Sequence, residues 1–181
     1  MGERTVGKSG GREINVSMRG AEVKTGDNVF LLDISVLDDN YLSSDTLCSL
    51  EGKVELFTVT LDRIEGNNPV SPYQLGILEE MIARFMKDHP NGVLCYYCDY
   101  LNSIPAIRKN RPSITVQEYR SKLFEAVFNR YCHHHPDTSF AQSILTIEGE
   151  ENYYIHLIAS KNLSTFVDVI AEDLQTGYGK D

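Results

Sequence analysis

Three groupings in this sequence bring together residue types that do chemistry when a fold holds them correctly. Cys95-Tyr96-Tyr97-Cys98 has C-x-x-C spacing, which serves a redox pair when one thiolate is stabilised at a helix N-terminus, or a zinc ion when both thiolates reach one metal. Cys132-His133-His134-His135 adds a third thiol and three imidazoles as further ligand candidates. Gly2-Glu3-Arg4-Thr5-Val6-Gly7-Lys8-Ser9 matches G-x-x-x-x-G-K-S, a loop whose backbone amides cradle phosphate while the lysine reaches the terminal phosphoryl group. Asp99 is a carboxylate at the end of an apolar run, where parallel sheets meet their ligands.

Each grouping depends on the element that carries it. A phosphate loop must follow a strand and open a helix, yet only Met1 precedes Gly2 and Gly10-Gly11 follows Ser9. Residues 1–11 are therefore read as a polar, flexible arm that binds no nucleotide. Val93 to Asp99 reads as a buried strand, in which residues three apart face opposite sides, so Cys95 and Cys98 are expected to be separated, packed and metal-free. Cys132 to His135 falls at the end of a helix, where solvated imidazolium suits the dipole; a metal site drawing on it is the alternative. Asp is also a common turn former, and that is the plainer reading of Asp99. No G-x-S-x-G occurs, and no serine stands in a nucleophile pattern.

The elements follow from hydrophobic period. Period 2 marks strands at Glu13 to Met18, with Ile14 and Val16 on one face, at Val29 to Leu37, and at Lys53 to Ile64, expected to pair as an antiparallel meander. Gly66-Asn67-Asn68-Pro69 breaks the chain, and Ser71-Pro72 supplies an N-cap and a first-turn proline for a helix carrying Leu75, Leu78, Ile82 and Phe85. After the Val93 strand comes a loop over Asn102 to Pro112. Thr115 and Glu118 then form a capping box for a helix to Tyr131, with Val116, Tyr119, Leu123, Phe124, Val127, Phe128 and Tyr131 as its apolar stripe, and Arg120 and Lys122 on the solvated face. A hairpin over Ser143 to Ala159 and a helix from about Leu163 to Leu174 complete the order β-β-β-α-β-α-β-β-α. The expected fold is α+β, a mixed and mostly antiparallel sheet, with 12–181 as a single globular domain.

The 181 residues carry 17 Lys and Arg against 26 Asp and Glu, a net charge of −9, with 41 % apolar residues. That is the composition of an ordinary globular domain. Between Gly26 and Gly66 nine acidic residues face only Lys53 and Arg63, whereas Arg108 to Arg130 holds six basic residues against Glu118 and Glu125. The acidic balance argues against nucleic acid as a partner, and no run approaches the roughly 20 apolar residues of a membrane helix. The opening Met1-Gly2-Glu3-Arg4 has no apolar signal core, so a cytoplasmic protein with free thiols is expected.

From the meander to the final hairpin, the element order resembles the GNAT acetyltransferases, in which three antiparallel strands lead through a helix to a splayed parallel strand, a second helix and a closing pair. Val70 to Leu78 resembles the turn beneath the acetyl-CoA pyrophosphate, with Gly76 at the central glycine. Tyr73 stands where that family has Gln or Arg, and Leu78 where it has Gly or Ala. Asn102 to Ile107 resembles the segment after the splayed strand. The resemblance implies acetyl-CoA as cofactor of an N-acyltransferase, with Tyr97 or Tyr131 as acid to the leaving thiol and Asp99 or Glu65 accepting the amine proton. The degraded turn and the acidic segment favour another expectation, a non-catalytic binding or regulatory protein of inhibitor or immunity type, with no cofactor and another protein as partner.

Overall fold

The computed structural model describes residues 18–68, 70–98 and 114–178, apart from the side chains at 18, 19, 39 and 178. The 1–11 arm with Lys8, Ile14 and Val16 of the first strand, Asp99, the 102–112 loop and Arg108, Lys109 and Arg111 lie outside the described residues.

β1 (Met18–Thr25) and β2 (Asn28–Val36) form a hairpin turning at Gly26, whose φ of 59° suits glycine. β3 (Glu55–Glu65) pairs antiparallel with β2, so a three-stranded meander forms, but its first strand is Met18–Thr25 and not the expected Glu13 to Met18, of which residues 13–17 lie outside the described residues. The link between them holds an element the hydrophobic period does not announce, α1 (Ser44–Leu50), capped where Ser43 Oγ accepts from the Thr46 amide at 3.3 Å. The order is therefore β-β-α-β-α-β-α-β-β-α, one helix more than expected. After β3, Gly66 has φ 82°, and a Cβ there would stand 2.3 Å from the Asp27 carbonyl oxygen, so only glycine fits. The buried Asn28 side chain closes the same turn, accepting from the Asn68 amide and donating to its carbonyl, both at 3.2 Å.

A 3₁₀ turn, Pro72–Leu75, then leads into α2 (Gly76–Asp88). Ser71 caps the turn as expected: its hydroxyl accepts from Gln74 N, and Gln74 Oε1 accepts from Ser71 N at 2.9 Å. β4 (Gly92–Cys98), α3 (Val116–His134), β5 (Phe140–Ile147), β6 (Tyr153–Ser160) and α4 (Ser164–Tyr178) follow. The strands lie in the order β1-β2-β3-β4-β6-β5, and β3–β4 is the parallel pair among antiparallel neighbours. The fold is α+β on a mixed, mostly antiparallel six-stranded sheet.

The pleat sends alternate residues to two cores. Phe57, Val59, Leu61, Leu94, Tyr96 and Cys98 meet α2 and α3 on one face; Val93, Cys95, Ile155 and Leu157 meet Leu50 of α1 and Val167, Ile170 and Leu174 of α4 on the other. On α3, Leu123, Phe124, Val127 and Tyr131 are buried, and Tyr119 and Phe128 pack at the edge. Two expectations for this helix are corrected. Val116 is 36 % exposed, and Arg120, expected in solvent, is 2 % exposed. Arg120 lies one turn before Phe124, so the helical period carries it inward despite its charge.

Among the described residues, β3 and β4 share a ladder from Glu55–Gly92 to Val59–Tyr96 and no further. Beyond it, β3 stays paired with β2 as far as Glu65, and Tyr97 and Cys98 stay paired with β6. The sheet forks there, toward the carboxyl ends of its two parallel strands.

Candidate functional site

α3 crosses the fork on the α2 side. Tyr96, at the last rung of the ladder, stacks on Phe124 with ring centroids 4.2 Å apart. Leu61 of β3, Leu75 and Leu78 at the start of α2, and Phe124 and Val127 of α3 close around a cavity of about 10 Å³. That is room for about one water, given that a water needs roughly 10–15 Å³. On this face, among the described residues, the fork is filled by the chain's own apolar side chains together with the buried Arg120, which also lines the cavity.

Next to it, Ser121 of α3 and Gln142 of β5 bracket His156 of β6: Ser121 Oγ lies 2.8 Å from Nε2 and the Gln142 side-chain amide nitrogen 2.9 Å from Nδ1. A serine against a histidine whose far nitrogen is held by a third side chain is the geometry of an activated nucleophile. With the Gln142 amide nitrogen toward it, Nδ1 accepts and Nε2 donates to Ser121; with the amide turned over, the two roles reverse, so burial and not polarity is what separates this trio from a working nucleophile. His156 is fully buried and Ser121 is 5 % exposed. Burial pushes the imidazole down to about 4, so it is neutral near pH 7. The three residues tie α3 to the β5–β6 hairpin; Gln117 adds a second tie, donating to Glu151 at 2.7 Å.

At the start of α2, Gly76 does allow a close approach, but of a cation. A Cβ on Gly76 would stand 3.2 Å from Arg130 Nη1. That nitrogen donates to the Pro72 and Tyr73 carbonyls at 3.2 and 3.1 Å and to Glu79 Oε1 at 3.2 Å, with the guanidinium 4.7 Å above the Tyr73 ring. Phosphate binding at a helix start needs free amides. Here Ser71 N and Gln74 N serve the capping box and Gly76 N donates to Tyr73 O. Leu78 is 1 % exposed and belongs to the core. Burial raises the Glu79 carboxyl above its ordinary range, and Arg130 acts against that rise.

The other candidates do not converge. Tyr97 faces the second core, its ring tilted against Tyr41 at 5.4 Å between centroids, while Tyr131 is buried in the first, against His135 at 4.2 Å. Glu65 is exposed at the far end of β3, and Asp99 lies outside the described residues. Cys95 and Cys98 occupy opposite cores, as the strand period requires, and burial pushes the Cys95 thiol up to about 12. His133 and His134 are exposed in the last turn of α3. Among the described residues, no three His, Cys, Asp or Glu side chains are grouped to hold a metal ion, and no helix is long and apolar enough to cross a membrane. Sequence reasoning missed Arg130 and the Ser121–His156–Gln142 tie; the second had no local signal, whereas Arg130 stood in the basic stretch without a target. Set against known proteins, the chain matches no family model, no curated protein and no solved structure.

Proposed function

We propose that this protein is a non-catalytic binding or regulatory protein, of the inhibitor or immunity type, built on a sheet with acetyltransferase-like strand order. The observation that carries the reading is Arg130. It takes the carbonyls of the 3₁₀ turn and the close approach at Gly76, where an acyl-CoA pyrophosphate would need backbone amides. The cavity on the α2 side of the fork supports the same reading among the described residues, since a pantetheine arm needs far more than about 10 Å³. With a net charge of −9, the partner is another protein and not a nucleic acid.

A ligand that binds only the folded state raises the melting temperature by mass action. A thermal melt with and without millimolar acetyl-CoA therefore tests the proposal: the melting temperature stays where it is. A saturable rise overturns the reading and favours an acyl-CoA-dependent N-acyltransferase, for which the fork between β3 and β4 is the supporting observation.

A further inference from the structure

We infer that the groove between the end of β2, α1 and the start of β3 docks a segment of a partner protein in which an apolar side chain is flanked by lysines or arginines. The inference rests on the binding-protein reading and names where, and to what, such a protein binds. The groove holds about 490 Å³, within the roughly 300–1,000 Å³ of ligand sites. It lies at the end of the sheet opposite the fork. Its walls are Val36, Leu47, Val54 and Leu56, and Val36 is left 67 % exposed although it ends a strand whose inward residues are buried.

Charge selects the occupant. Asp38, Glu51 and Glu55 line the groove, and among the described residues no lysine or arginine does. Lys53, the nearest cation in sequence, turns away and donates to the Ser49 carbonyl at 2.8 Å. His89, 3.5 Å from Glu55, reaches only that carboxylate. The three carboxylates come from three places, the end of β2, the end of α1 and the start of β3, so cations must be spread along the occupant to meet them. A polypeptide carrying several basic side chains around an apolar anchor does this; a single ammonium does not. Anionic lipid and nucleic acid meet the wrong sign. The groove also falls wholly inside the acidic stretch between Gly26 and Gly66, where Asp38 accepts from the Asn40 amide at 3.0 Å and Glu55 faces His89 while Glu51 stands exposed at the rim.

The test is selection of a random heptapeptide display library on the full chain, followed by fluorescence anisotropy of the enriched peptides. Binding is compared among the wild type, Val36→Ser and Glu51→Lys; both positions are exposed, and unchanged thermal melts establish that the variants fold. The expected sequences place Leu, Ile, Phe or Met between Lys and Arg, and each variant weakens their binding by about tenfold. Enrichment of neutral or acidic sequences, no enrichment over a control protein, or affinity unmoved by both variants overturns the inference. If selection fails while acetyl-CoA still leaves the melt unchanged, the groove is wrong and the binding reading stands. A rise with acetyl-CoA removes both.

Discussion

His156 is the residue whose setting makes the sharpest demand on pH. Its imidazole sits at about 4 in the folded chain against an ordinary 6.5, because burial penalises the charged form. The folded state therefore binds fewer protons than the unfolded one. The stability this contributes is present above pH 6.5 and is lost as the pH falls from there toward about 4. At 1.36 kcal/mol for each pH unit between the two values, the loss comes to about 3 kcal/mol. Urea denaturation across this range should show that decline in the wild type and a flatter profile in His156→Gln; equal profiles would mean that another group governs acid sensitivity. Arg130 makes a second demand. Its removal leaves Glu79, 7 % exposed, without its cation, so Arg130→Ala should cost about 2 kcal/mol near pH 8, part of the cost of breaking a buried pair because Arg130 is itself a quarter exposed. The cost should shrink as the pH falls, because burial raises the Glu79 carboxyl and its protonation removes the charge left unpaired. A pH-independent defect would show that the carbonyl contacts, and not the carboxylate, are what Arg130 serves. Neither residue was identifiable from its neighbours in sequence. His156 meets Ser121 across 35 positions and Arg130 meets Tyr73 across 57, distances over which no local spacing speaks.

At the scale of elements, α3 shows how far the sequence pattern reaches. The period located its buried stripe from Leu123 to Tyr131, and Thr115 caps it, accepting from Glu118 N at 3.2 Å, but the expected capping box is only half formed because the Glu118 carboxylate pairs with Lys122 one turn on. The pattern failed where residue type overrode position: Arg120 shares the Phe124 face, and its charge argued for solvent while its place in the turn put it inside. Phe124→Ala should cost about 3–5 kcal/mol, since it empties a packed site against Tyr96 and His156. Lys122→Ala, on the exposed side, should stay within about 0.5 kcal/mol, whereas Arg120→Ala should exceed about 1 kcal/mol. A denaturant series over the three variants checks the order, and an Arg120→Ala as mild as Lys122→Ala would place Arg120 outside the core after all. α1 escaped notice for a different reason. Seven residues make two turns, and Thr46 and Leu50 are its buried positions, too few for a period to register. The signal present was the Ser43 cap with Asp45 in the first turn.

For the whole molecule, strand alternation foretold the two-core arrangement, because it sends Cys95 and Cys98 to opposite faces and so removes the C-x-x-C pair as a metal site. The parallel pairing of β3 with β4 was also legible, from one helix lying between two strands. The insertion of β6 between β4 and β5 was not, since a hairpin read from sequence docks by either strand. The packing of the fork was equally hidden, as it depends on the angle at which α3 crosses the sheet. On the proposed reading, these features leave the sheet without a place for an acyl-CoA, and leave the acidic end of the molecule to do the binding. An amide NMR titration of the full chain with acetyl-CoA tests this most directly. The account predicts that resonances of Thr60 to Glu65, Ser71 to Gly76 and Tyr96 to Cys98 do not move up to millimolar ligand; saturable shifts confined to those residues would contradict it.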